Sequence, residues 1–395
     1  MSVDYPNKKT VQDVNVDGKK VFLRVDFNVP ISDGKVSDNE RIIAALPTIH
    51  YLLLHNAKII LASHLGRPKG ERNHKYSLRP VVKELSEILD KPVIFIEDCL
   101  NEDTKKAIDK LKNGEIMLLE NIRFYPGEEA NDDNFARALA SLADIYVNDA
   151  FGTAHRAHAS TAGIAKYLPA VAGFLMEKEV KCLSAALHNP AHPFISIIGG
   201  AKVSDKIQVI ENLLNIVDKL LIGGGMANTF LAAQGYNMQK SLVEQERVDW
   251  AKQLLATKVA NNLLLPVDVI AAKDIDTSDV IEVDADKLPE GYMALDVGSK
   301  TRQLFGAAIA DAKTIIWNGP LGLFEKEAFA KGTFELLKTV ADSDAFSIVG
   351  GGDSVAAVNQ AGLASEISHM STGGGASLDF LAGKVLPGIA VLNDK

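Results

Sequence analysis

Seven basic side chains fall at or just after apolar runs in the first half of this 395-residue chain: Arg24, Arg41, His64, Arg67, Arg123, Arg156 and His158. Guanidinium groups match carboxylate and phosphate oxygens two at a time, so a set of them on one rim can grip a small, strongly anionic molecule. One arginine alone reads equally well as a surface ion pair. Their concentration in a chain of net charge −9 is what singles out an anion pocket. Asp149-Ala150-Phe151-Gly152-Thr153-Ala154-His155-Arg156-Ala157-His158 reads as a loop in which Arg156 is the anion contact and His155 is structural or solvent-facing. His64 and His158 are also candidates for a general base, but no HExxH or His-x-His spacing supports a metal pair.

The second half is punctuated by glycine instead. Gly199-Gly200-Ala201-Lys202, Gly223-Gly224-Gly225, Gly350-Gly351-Gly352-Asp353 and Ser371-Thr372-Gly373-Gly374-Gly375 remove Cβ atoms where a ligand can meet backbone amides, and amides at a helix start suit phosphate oxygens. A tight turn explains any one cluster, whereas four in one half favour phosphate binding. Neither GxxxxGK followed by Ser or Thr nor GxGxxG occurs, which disfavours a Walker-type ATPase and a standard Rossmann dehydrogenase. Lys202 and Lys206, read as helix neighbours four apart, can both reach one polyphosphate. Asp353 suits Mg²⁺ on a nucleotide, because a hard cation takes carboxylate together with phosphate oxygens; its alternative reading is a helix N-cap. Glu325, in Asn318-Gly319-Pro320-Leu321-Gly322-Leu323-Phe324-Glu325, can accept hydrogen bonds from a ribose.

The elements that must carry these residues are continuous apolar runs separated by helical stretches: Val21 to Val25, Lys58 to Ala62, Val93 to Ile96, Ile116 to Leu119 and Ile145 to Val147. Strands buried on both faces read as unbroken apolar runs, and their alternation with helices predicts a parallel sheet. A second series restarts at Phe194 to Ile198 and continues through Leu220 to Ile222, Leu263 to Val269, Thr314 to Trp317 and Phe346 to Val349. The fold class expected is therefore α/β, two doubly wound parallel-sheet (Rossmann-like) domains. Helical spacing within Pro169 to Pro190 predicts the helix that joins them. In both series the polar residues and glycines follow the strands, where open parallel sheets bind ligands.

Composition agrees with an enzyme of two sizeable cores. The length is about 2.6 times a typical 150-residue domain, and 47% hydrophobic against 24% charged residues excludes a mainly disordered chain. The acidic balance argues against nucleic acid or anionic membrane as partner. The residues Met1 to Thr10 lack the apolar core of a signal peptide, and no apolar run reaches membrane-spanning length, so a cytoplasmic location is expected. Cys99 and Cys182 are too few and too far apart for a disulfide framework or CxxC chemistry and read as plain thiols.

On these residues the chain resembles the phosphoglycerate kinases, over essentially its whole length. The segments are Arg24 to Pro30, Ser63 to Pro68, Glu120 to Phe124, Asp149 to His158, Gly199 to Lys206, Trp317 to Glu325, Gly350 to Ser354 and Ser371 to Ser377. Departures such as Ile122, Leu321, Leu323 and Ser354 remove no charge and no indispensable donor. The resemblance implies reversible transfer between 1,3-bisphosphoglycerate plus MgADP and 3-phosphoglycerate plus MgATP by a monomer, with Mg²⁺ bound with ADP or ATP and small molecules as the only partners. By position, Asp26, Asn28, Arg41, His64, Arg67, Arg123 and Arg156 would hold the triose substrate. Lys202, Lys206, Gly223, Gly224, Gly225, Asn318, Pro320, Glu325, Gly350, Gly351, Gly352, Asp353, Ser354, Gly373 and Gly375 would surround the nucleotide, with Asp353 on the metal. Arg41, Lys202 and Gly374 would stabilise the phosphoryl group in flight.

The implied domains are 1–170, binding 3-phosphoglycerate, with a C-terminal return over 378–395; a hinge helix over 171–190; and a nucleotide-binding domain over 191–377. Both the attacking and the leaving groups are anionic oxygens, so positioning and charge compensation suffice, with in-line transfer and neither a phosphoenzyme nor a general base. The domains must close to bring the reactants together and exclude water, with Glu179 and the region after Gly375 as hinge candidates. Two rival readings are a kinase acting on another small acid and a nucleotide-binding regulatory or scaffold protein that has lost chemistry.

Overall fold

The computed structural model describes Tyr5 and residues 7–395. Met1 to Asp4 and Pro6, part of the N-terminal segment and of the expected 1–170 domain, lie outside the described residues. The chain forms two compact units, one built from the described residues through Lys181 together with Val385–Lys395, the other from Cys182–Lys384.

The first unit holds a six-stranded sheet of β1 (Lys20–Arg24), β2 (Lys58–Ala62), β3 (Val93–Ile96), β4 (Ile116–Leu119), β5 (Ile145–Asn148) and β6 (Ala170–Ala172). Its order is β3-β4-β2-β1-β5-β6 and every pairing is parallel. Val21, Leu23, Ile59, Leu61, Leu118 and Val147 are completely buried, and the Glu40–Leu54 and Arg79–Leu89 helices contribute Ile42, Ile49, Val81 and Leu85 to the same core. Burial on both faces is the physical reason these strands read as unbroken apolar runs. The chain leaves β1 toward β2 on one side and returns to β5 on the other. The loops after β1, β2 and β5 therefore meet at the point where strand order reverses, the favoured binding crevice of such sheets.

The second unit also centres on a parallel sheet, in a different strand order, and holds β7 (Phe194–Ile198), β8 (Lys219–Ile222), β9 (Leu263–Leu264), β10 (Asp268–Ala272), β11 (Ile281–Asp284), β12 (Met293–Val297), β13 (Thr314–Asn318), β14 (Phe346–Gly350) and β15 (His369–Ser371). Six of these form an all-parallel sheet in the order β9-β8-β7-β13-β14-β15. The run Leu263 to Val269, expected as one strand, is two. Pro266 cannot donate to a ladder, and the chain breaks there into the edge strand β9 and the middle strand of a separate antiparallel sheet, β11-β10-β12.

The helix expected within Pro169 to Pro190 runs from Phe174 to His188 and crosses the boundary between the units. Of the closing segment, the Gly375–Leu381 helix stays with the second unit, where Asn212 Nδ2 donates to the Leu381 carbonyl at 2.6 Å. Val385–Lys395 joins the first unit. Leu386, Ile389 and Leu392 are buried there, Asn148 Nδ2 donates to Gly388 O at 2.9 Å, and Asn393 N donates to Ala170 O at 2.9 Å.

Candidate active site

The rim of the first unit is assembled from loops that leave β1, β2, β4 and β5. Asp26 follows β1 and accepts from Arg41 Nη1 at 2.8 Å and from the Asn28 amide at 3.3 Å. Asn28 Oδ1 accepts from the Gly66 amide at 2.9 Å, while Arg123 Nη1 donates to the Gly66 carbonyl at 2.8 Å. One glycine peptide thus ties the β1, β2 and β4 loops together. Gly66 has φ +61°, and a Cβ there would collide with the ring of Tyr76, so only glycine fits.

His64 lies at the centre of this positive set. Burial holds its pKa well below the ordinary histidine value, and Arg24, Arg123, Arg41 and Arg156 add to the effect. Arg24 Nη2 lies 3.3 Å from His64 Nδ1, and a guanidinium can only donate. Nδ1 is therefore the acceptor and Nε2 carries the proton, which leaves a neutral ring with one donor. Arg123 is pushed down to about 10, chiefly by burial and also by Arg24 and Arg156, with Glu129 opposing. It stays charged at neutral pH. His158 is driven to about 3 by burial and then by Arg123, Arg24 and Arg156, so its ring is uncharged at neutral pH. Arg156 is half-buried, with Nε donating to His155 Nε2 at 3.2 Å. Arg67 is the outlier, exposed and without a hydrogen bond to its neighbours.

Arg24, which the sequence places in the basic rim without a role of its own, is the most deeply set of these cations, at 1% exposure. Its Nε donates to Ser160 Oγ at 2.9 Å and its Nη1 to the Val25 carbonyl. Ser160 in turn donates through Oγ and N to the fully buried Glu128, at 2.6 and 2.9 Å. Neither Ser160 nor Glu128 carries a sequence signal: each lies far along the chain from its partner and outside any glycine or arginine motif.

In the second unit the glycines divide into two kinds. Gly199, Gly223, Gly224 and Gly319 pack against neighbouring loops so closely that a Cβ would strike Pro320, Leu321, Gly200 or Gly199. Their amides are used internally: Gly199 N donates to Asn318 O, Gly223 N to Ile198 O, Gly224 N to Leu321 O and Gly319 N to Ser354 Oγ, and the neighbouring Gly200 N donates to Pro320 O. These glycines let strand ends approach, so their reading as free amide donors is corrected. Gly352 and Gly374 are the other kind, with open space where a Cβ would be, at or just before the starts of the Gly352–Ala361 and Gly375–Leu381 helices. Amides in a first helical turn lack intrahelical acceptors and are available to an anion.

Lys202 and Lys206 do not share a helix face. The turn that follows Gly200, at φ +107°, delays the helix to Ile207–Leu213, so both lysines precede it. Lys206 turns inward, donating to Gly199 O at 2.7 Å and Asn318 O at 3.0 Å, and burial lowers it to about 8. Lys202 is exposed and makes no hydrogen bond. Gly351 holds the N-cap position of its helix, and Asp353 lies in the first turn with an exposed carboxylate that accepts no hydrogen bond, which removes the N-cap reading. Ser354 is buried and accepts from Gly319 N at 2.6 Å, bracing the β13 loop. Asn318 is buried with its Nδ2 lacking an acceptor, facing Gly351. Gly225 lies in the first turn of the Gly224–Ala233 helix, Gly373 N donates to Ser371 Oγ at 3.3 Å, and Glu325 stands exposed on a turn beyond β13.

A family model described as phosphoglycerate kinase matches residues 11–384. The chain belongs to the phosphoglycerate kinase family. It is 55% identical over 393 residues to a phosphoglycerate kinase of Moorella thermoacetica, covering 98% of this chain and all of that one, and 54% identical to one of Clostridium botulinum strain Hall, covering 98% and 99%. Among solved structures it is similar to phosphoglycerate kinase from Coxiella burnetii, with TM-score 0.89 and 44% identity over 97% of this chain and 98% of that one. The enzyme from Pyrococcus horikoshii gives TM-score 0.86 and 37% identity over the same shares. As a phosphoglycerate kinase, this chain catalyses reversible phosphoryl transfer between 1,3-bisphosphoglycerate and MgADP, giving 3-phosphoglycerate and MgATP.

Among the described residues no group of three or more His, Cys, Asp or Glu could hold a metal ion by itself. Asp353 presents an exposed carboxylate that accepts no hydrogen bond and whose charge acts on Lys206, a single hard-cation donor of the kind that shares Mg²⁺ with phosphate oxygens.

Proposed function

We propose that the first unit's rim binds the triose phosphate and the second unit's rim binds the nucleotide. The observation that carries this reading is the convergence on one rim of the buried His64, 3.3 Å from Arg24, with Arg41 set by Asp26 and Arg123 set by Gly66. Asp26, Glu128 and Glu129 offset part of this charge, and with Arg67 included the rim keeps a net positive charge that an anion would relieve. Asp26 aims Arg41, Gly66 aims Asn28 and Arg123, and Arg67 is left free to reach a bound ligand from the solvent side.

On the other rim, Lys202 and the amides around Gly374 and Gly375 compensate the phosphoryl group, with Arg41 meeting it from the triose side. Asn318 and the amides of Gly351 and Gly352 face the nucleotide phosphates, Gly223 to Gly225 and Pro320 shape the wall against the base, and Glu325 meets the ribose. Lys206, Gly350, Ser354 and Gly373 hold the loops in place. Mg²⁺, when bound through Asp353, neutralises charge on the nucleotide phosphates. Closure of the 1–170 and 191–377 domains about the 171–190 helix would bring the two substrates into line and exclude water. A cytoplasmic location accords with a glycolytic family and with the lack of any membrane-spanning helix among the described residues.

Titration of 3-phosphoglycerate and of MgADP separately into Arg123→Ala and Asp353→Asn tests the partition. Arg123→Ala should lose triose binding alone and Asp353→Asn nucleotide binding alone. Crossed or shared losses would reject the assignment.

A further inference from the structure

The Asn121 side chain touches no proposed ligand position, yet it joins three segments of the triose rim. It is completely buried just after β4. Its Nδ2 donates to Leu65 O at 2.7 Å and to Tyr76 O at 2.9 Å, and its Oδ1 accepts from the Arg123 amide at 3.0 Å. Both amide protons and the carbonyl oxygen are thereby engaged. The Asn121 backbone is fixed independently: its N–H donates to Glu120 Oε1 at 2.8 Å, and Glu120 also receives Leu78 N at 2.8 Å and Ser77 Oγ at 2.7 Å.

The three acceptors and donors belong to working parts of the rim. Leu65 lies between His64 and Gly66, Tyr76 supplies the ring that fills the space over Gly66, and Arg123 donates to the Gly66 carbonyl. Leu65 and Tyr76 are otherwise parts of one long loop with no strand to hold it, whereas Asn121 is anchored to the sheet through β4. We infer that Asn121 is a positioning residue for the triose substrate, its amide setting the register between the His64–Arg67 segment and Arg123. This rests on the placement of the triose phosphate on this rim.

Steady-state kinetics of 3-phosphoglycerate phosphorylation by MgATP test it with Asn121→Leu, which keeps the shape without hydrogen bonds, and Asn121→Ala, which leaves space a water can enter. Each should raise KM for 3-phosphoglycerate by about tenfold or more, since buried carbonyls and an N–H lose their partners, while KM for MgATP stays within about twofold and kcat within about threefold. Leu should do no better than Ala. A near-normal KM for 3-phosphoglycerate, equal loss in all three constants, or full function with Leu would each overturn the inference, the last by showing that the side chain only fills space. If either variant lacks a cooperative melting transition, Asn121→Ser is held to the same selective rise. Arg123→Ala is measured alongside: a rise there without one in the Asn121 variants rejects Asn121 alone, whereas no rise in Arg123→Ala rejects the triose placement and this inference with it.

Discussion

Lys202 and Lys206 carry the same charge four positions apart and are fitted for different work. Lys206 spans the ends of β7 and β13 through two carbonyls, whereas Lys202 stands in solvent with its ammonium uncommitted. Lys202→Ala should therefore reduce kcat by about 10²- to 10³-fold, the scale of losing one charge-stabilising donor, with the melting temperature unchanged. Lys206→Met leaves two carbonyls without a donor and should lower the melting temperature as well as the rate. Kinetics and calorimetry on both variants check this, and a Lys202→Ala enzyme of near-normal rate would remove that residue from the chemistry. At this scale the sequence shows residue types but not depth. The arginines were legible as a set, yet nothing local distinguishes Arg24, sealed under the rim, from Arg67, free above it. Glu128, Ser160 and Asn121 were illegible because their partners are distant in the chain.

Elements decide which loops meet, and glycine decides how closely. Gly319 has φ +95°, and a Cβ there would press on the Gly199 carbonyl and Lys206 Nζ. Gly319→Ala should cost roughly 2–4 kcal/mol from left-handed strain and overpacking together, read as a fall in denaturation midpoint. An unchanged midpoint would show that the β7 and β13 loops separate at little cost. The start of the Phe174–His188 helix makes a pH prediction. Asp149 Oδ1 accepts from Leu175 N at 2.9 Å and Met176 N at 3.2 Å, while Oδ2 is buried without a partner. Burial raises this carboxyl to about 6, against the lowering influence of Thr48 and of the Met176 and Leu175 amides. Because the folded pKa exceeds the unfolded one, the protonated form's advantage is present below about pH 4 and is lost as pH rises through 6, at most about 3 kcal/mol. Asp149→Asn keeps the accepting oxygen and should abolish that component of the pH dependence of stability; an identical profile in parent and variant would contradict it.

The strands themselves were legible because burial on both faces writes an unbroken apolar run, and Lys58–Ala62 and Phe194–Ile198 match their sequence boundaries. The edge strands β6 and β15, three residues each, were too short to stand out. The β10 sheet was hidden by the apolar residues flanking Pro266.

At the scale of the molecule, two units each built on a six-stranded parallel sheet, with different strand orders, gather loops at the reversal of strand order, one lined with arginine and the other with glycine. On the proposed partition of the two substrates between the units, domain closure predicts that small-angle scattering with 3-phosphoglycerate and MgADP together gives a smaller radius of gyration than the free protein. An unchanged radius would count against closure.

The return of Val385–Lys395 to the first unit also sets a timetable for biosynthesis. Asn393 exchanges hydrogen bonds with Ala170 and accepts from Lys9, and Gly388 seals the turn beside Ala154. Those contacts are missing while the ribosome is still polymerising the intervening two hundred or so residues. The first unit, although translated first, therefore keeps only the Lys9 and Thr10 pairing on its β6 flank until the last-made strap arrives to complete it.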